Sequence, residues 1–148
     1  MSKGRLWLRI ACWGFVATAI LHLVGHFQDL PRLPDENGLR LLELVESYEI
    51  EVAGVRRSTA DLLDGFSLCF SAFCLFVGLA GLAVARQGGT RLVRTVAALQ
   101  AILAAGLAVI SALLLIPPPA VCFAAILACS LAALLGGRSA SDANDSES

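Results

Sequence analysis

Long uncharged stretches of this chain alternate with short charged ones. Uncharged runs extend from Ile10 to Phe27, from Gly65 to Ala85 and from Thr95 to Gly137, and Pro117, Pro118 and Pro119 divide the last run in two. A helix that crosses a bilayer needs about 20 apolar residues, each rising about 1.5 Å. Four spans are therefore predicted, at about residues 6–27, 59–86, 91–116 and 120–135. Ser58, followed three residues later by Asp61, is a capping-box pattern that opens the second span. Gln87-Gly-Gly-Thr90 reads as a tight turn after it. The three prolines are expected to form a stiff outer turn between the third and fourth spans, because proline cannot continue a helix.

Residues 28–57 follow a different pattern. Pro31 to Gly38 reads as a turn region. Leu41, Val45, Tyr48, Val52 and Val55 then recur at spacings of four and three, with Glu43, Glu46, Glu49 and Glu51 largely between them. That periodicity predicts one amphipathic helix in the first outer loop, over the bundle mouth or in the interface plane, with Gly54 ending or bending it. The predicted fold class is all-α: a membrane four-helix bundle with this extra amphipathic helix. Residues 1–138 form a single four-span domain. Residues 139–148, rich in Ser, Asp, Asn and Glu, are expected to be a disordered cytoplasmic tail.

Composition agrees with the run lengths. The chain has 148 residues, 57% of them hydrophobic and only 16% charged, against roughly 25% charged in an average soluble domain. A net charge of -1 gives no basic face for nucleic acid, so the expected partners are the lipid bilayer and a second copy or another membrane protein. Cys12, Cys69, Cys74, Cys122 and Cys129 all fall within apolar runs and include no C-x-x-C; they read as small core residues. The basic start of the first span (Lys3, Arg5, Arg9) resembles a signal sequence. No small-x-small cleavage site follows it, and a retained signal anchor is expected. With the N-terminus inside, Lys3, Arg5, Arg9, Arg86, Arg91, Arg94 and Arg138 lie on the inner side. Arg32, Arg40, Arg56 and Arg57 lie outside. The positive-inside rule then places both termini in the cytoplasm of a bacterial inner (plasma) membrane protein.

Polar positions within the spans are ordered. Ala11, Gly14, Thr18, His22 and His26 follow one another on one face of the first span, and Asp64, Ser67, Ser71, Cys74, Gly78 and Gly81 on one face of the second. Small residues let membrane helices approach closely, and hydroxyls bond across the contact. These stripes are expected to face each other or a shared interior, with Phe66, Phe70, Phe73 and Phe76 on the other side. Alanine stripes on the third span (Ala98, Ala101, Ala105, Ala108) and the fourth (Ala124, Ala128, Ala132) could instead pack on another chain.

His22 and His26 are the only histidines. They lie one helical turn apart near the outer end of the first span, level with Asp61 and Asp64 at the outer start of the second. Ionisable groups at that depth are costly and point to function. His22, His26 and Asp64 form a candidate metal site, since two imidazoles and a carboxylate leave open positions on Zn or non-haem Fe. The same groups could relay protons or meet the headgroup of a quinone. They could equally be a polar clasp, His22 and His26 bonding to Asp64, Ser67 or water, with Asp61 as the capping acid. Haem fits less well, because histidines one turn apart cannot flank it from opposite faces.

His22-x-x-Gly25-His26 followed by Arg57-Ser-x-x-Asp61-x-x-x-Gly65-Phe66-Ser67 resembles a pattern in a family of small bacterial four-span membrane proteins of unassigned function. More distantly, the layout is similar to DoxX-like proteins. The resemblance implies four crossings and brings no mechanism. Three functions stay open: a metal- or proton-binding protein with or without enzyme activity, a structural or accessory subunit of a membrane complex, and an oligomeric transporter or channel.

Overall fold

The computed structural model describes residues 2–28, 35–114 and 117–136. The element order is α1 (Lys3–Phe27), α2 (Glu36–Ser47), β1 (Glu49–Val52), β2 (Val55–Ser58), α3 (Thr59–Gln87), α4 (Thr90–Leu114) and α5 (Pro117–Gly136). The fold is all-α in its dominant elements. α1, α3, α4 and α5 supply four segments long and apolar enough to cross a membrane, which makes the chain compatible with an integral membrane protein. Contacts divide the chain into two compact units, Met1–Thr18 with Cys74–Ser148, and Ala19–Phe73.

The first unit is a bundle of the N-terminal part of α1, the C-terminal part of α3, and α4 and α5. Its centre holds Leu8, Cys12, Leu82, Ala85, Val93, Ala97 and Ala133, all buried, with Val84, Val96 and Leu134 packed around them. The small residues in this centre bring backbones together. A Cβ on Gly78 would lie 2.7 Å from Val16 Cγ2 and 2.8 Å from the Cys12 carbonyl, and one on Gly14 would lie 2.7 Å from Ile126 Cγ1. In this unit the expected stripe on α3 is used against α1, but it meets Cys12 and Val16 rather than the expected α1 stripe, whose Gly14 packs on Ile126 of α5 instead. Arg5 donates to the Gly88 carbonyl at 2.7 Å, which ties the start of α1 to the α3–α4 turn. Of the alanine stripes, Ala101 is buried within this unit, whereas Ala124 and Ala128 are exposed.

The prolines lie elsewhere than expected. Pro117 to Pro119 form the first turn of α5 rather than a turn before it. A helix's first residues have no intrahelical acceptor for their N–H groups, so proline there forfeits no bond and its fixed φ suits the helix. The expected tail 139–148 lies outside the described residues.

The second unit corrects the loop. The helix expected to run through Val55 stops at Ser47, and residues 49–58 form an antiparallel hairpin instead. Its register pairs Glu49 with Ser58, Ile50 with Arg57, Glu51 with Arg56 and Val52 with Val55. Two local preferences override the helical spacing. Glu49-Ile-Glu-Val alternates with a period of two and carries β-branched residues. Ala53 and Gly54 both take positive φ, at 53° and 79°, as a two-residue turn matched to strand twist requires. Arg56 donates to Glu51 across the strands at 3.1 Å. α2 keeps its own caps. The Asp35 carboxylate accepts from the Gly38 N–H, and the Tyr48 N–H returns to the Leu44 carbonyl.

Ala53 holds a left-handed conformation that costs a side-chain-bearing residue free energy. Ala53→Asn is expected to stabilise the hairpin by about 0.5–1 kcal/mol, since Asn-Gly suits such turns. Slower amide exchange across residues 49–58 would report the gain, and unchanged exchange would contradict it.

Candidate functional site

All the groups of the candidate site belong to the second unit, on the C-terminal end of α1 and the N-terminal part of α3. α3 starts where the sequence placed it. The Ser58 Oγ accepts from the Asp61 N–H at 3.0 Å, and Asp61 Oδ2 accepts from the Ser58 N–H at 3.2 Å. This reciprocal capping box engages Asp61 in starting the helix. Thr59 donates its N–H at 2.9 Å to the Tyr48 carbonyl, which joins α3 to the end of α2.

One turn further on, the histidines meet α3. His22 Nε2 and Ser67 Oγ are hydrogen-bonded at 3.1 Å, the donor being set by the imidazole tautomer. The His22 ring also stands edge-on to Phe70, with centroids 5.0 Å apart. Phe70 is therefore part of the site, although its spacing put it on the opposite side with Phe66, Phe73 and Phe76; those three are exposed. His26 Nδ1 lies 3.9 Å from Asp64 Oδ1. That separation is too long for a hydrogen bond and short enough for a charge pair once the ring is protonated. The His26 side chain is 14% exposed and that of Asp64 66%, so the carboxylate lies at the protein surface while the imidazole is largely covered. Below them the Ser71 hydroxyl returns to the Ser67 carbonyl at 3.1 Å.

The arrangement is two adjacent couples, His22 with Ser67 and His26 with Asp64. Zinc ligands at about 2.0–2.2 Å from a tetrahedral ion lie roughly 3.3 Å from each other. The His26–Asp64 distance exceeds this, and the His22 nitrogen is turned to a hydroxyl. Among the described residues, no group of three His, Cys, Asp or Glu side chains is arranged to hold a metal ion. Arg56 and Arg57, adjacent in sequence, are engaged within the hairpin: Arg56 with Glu51, Arg57 with the Arg56 carbonyl.

A second polar centre lies in the first unit. Gln100, 3% exposed, places its Nε2 3.4 Å from the Cys12 sulfur and 3.4 Å from the Val77 carbonyl. It thereby links α4 to both α1 and α3. A Cβ on Gly81 would collide with both Cys12 and Gln100. Cys12 reads from the sequence as a small core residue, and nothing in the spacing joins it to Gln100. Comparison with protein families, curated proteins and solved structures gave no significant match.

The His26–Asp64 attraction exists only with the ring protonated and the carboxylate ionised. A double-mutant cycle with His26→Ala and Asp64→Asn should therefore give a coupling of about 0.2–1 kcal/mol, as befits a partly exposed pair. Thermal unfolding of the wild type, the two single variants and the double variant in detergent measures it, and strictly additive effects would contradict the pairing.

Proposed function

We propose that the chain is a four-crossing protein of a bacterial inner membrane, with both termini cytoplasmic, whose outer leaflet carries a proton-exchanging site built from His22, His26 and Asp64. Four long apolar helices and the concentration of Lys and Arg in the short segments assigned to the inner side support the topology. The observation that carries the site is the approach of His26 Nδ1 to Asp64 Oδ1 at 3.9 Å, one turn from His22 on Ser67. The chain's only two imidazoles thus both meet polar groups of α3. Imidazole changes charge near neutral pH. An imidazolium next to a carboxylate is attracted to it in a way that a neutral ring is not, so this approach of α1 to α3 suits a site that takes up and releases a proton.

Metal binding by the same three residues is the second reading, favoured by the i, i+4 placement of the histidines beside a carboxylate. It requires His22 to leave Ser67 and His26 to close on Asp64.

Hydrogen exchange at the ends of α1 and α3, in lipid nanodiscs and corrected for intrinsic rates, tests the proposal. Acidification should slow exchange about threefold or more in the wild type, in line with a charge pair of up to about 1 kcal/mol. His26→Ala and Asp64→Asn should both lose that response. A response retained in both variants would overturn the proton-exchanging site. About one Zn or Fe per purified wild-type chain, lost in His22→Ala, would replace it with the metal reading.

A further inference from the structure

A cavity of about 430 Å³ lies in the first unit between the start of α4 and the end of α5, lined by Thr90, Arg91, Arg94, Thr95, Ala98 and Leu134. We propose that it is a binding site for the phosphate headgroup of an anionic phospholipid. The inference rests on the membrane-spanning reading above and is independent of the histidine site.

Arg91, Arg94, Thr95 and Ala98 recur at three or four residues, so they share one face of α4. Neither guanidinium makes an ion pair or side-chain hydrogen bond with another described residue. Arg91 is exposed and Arg94 half-buried. Guanidinium groups hold phosphate oxygens in paired, charge-assisted hydrogen bonds. Thr90 offers a further hydroxyl, and α4's first backbone N–H groups add donors and a favourable dipole end.

The other lining residues decide between a lipid and a free anion. Leu134, two residues from the end of α5, stands beside the polar donors at the mouth of the helix pair, and Ala98 lies two turns into α4, past the arginines. Apolar side chains beside the donors match a phosphate with an acyl chain attached, whereas inorganic phosphate would leave them unused. A net-anionic headgroup is preferred over a zwitterionic one, because two unpaired guanidinium groups repel a quaternary ammonium.

Native mass spectrometry of the full chain, released from nanodiscs of equal phosphatidylglycerol and phosphatidylcholine, tests the site. The wild type should retain phosphatidylglycerol over phosphatidylcholine by about tenfold or more. Arg91→Gln combined with Arg94→Gln should abolish the preference. Arg86→Gln, a basic residue nearby in the chain that does not line the cavity, should preserve it. No preference in the wild type, or equal loss in both variants, would overturn the proposal. So would displacement of the lipid by low-millimolar inorganic phosphate, which would make the ligand a free anion. Incorporation into nanodiscs is scored first: a chain that fails to incorporate removes the membrane reading, and one that incorporates without selectivity removes only this site.

Discussion

Every polar side chain buried among apolar helices must find its partner inside the protein, because the apolar surroundings offer none. The described residues meet that constraint: no buried side-chain nitrogen or oxygen lacks a hydrogen-bond partner. Some satisfy it locally. Thr18 donates to the Gly14 carbonyl and Ser130 to that of Ile126, each four residues back on its own helix. Others satisfy it only by joining helices, and these determine which faces meet. Gln100 is the clearest case. Its amide can be buried only because Cys12 and the Val77 carbonyl are within reach, and they are within reach only because Gly78 and Gly81 carry no side chain. Glycine, thiol and amide are one packing solution distributed over three helices.

The same logic governs the histidines with a different outcome. His22 finds a hydroxyl and an aromatic edge, which satisfy it in its neutral form. His26 lies at the distance of a charge pair from a carboxylate, an interaction whose strength depends on protonation. The Asp64 carboxylate is exposed at the protein surface, whereas the His26 imidazole is largely covered.

Much of this was legible in the sequence because it depends on run length and on short-range spacing. The spans follow from uncharged runs, the start of α3 from Ser58 and Asp61, and the small-residue contacts from glycines at helical intervals. Three features were not. The hairpin was hidden because Val45, Tyr48, Val52 and Val55 fit a helical spacing as well as a mixed one. Two residues with positive φ, one of them an alanine, settle it as a turn. The prolines read as a break because proline usually ends a helix, yet at a first turn it costs nothing. Gln100 and Cys12 are 88 residues apart, and no local pattern records such a pairing. His22 and His26 showed their common face at once. The division of labour between Ser67 and Asp64 depends on side-chain directions that spacing does not encode.

The His22–His26 face of α1 meets the Asp64–Ser67 face of α3. The most direct measurement is crosslinking in native membranes with a short bifunctional thiol reagent, in a chain whose five cysteines have been replaced. His22→Cys with Ser67→Cys should be joined within one chain far faster than His22→Cys with Phe66→Cys, because Phe66 is exposed on another side of α3. Equal rates for the two pairs, or crosslinking between chains alone, would contradict the account.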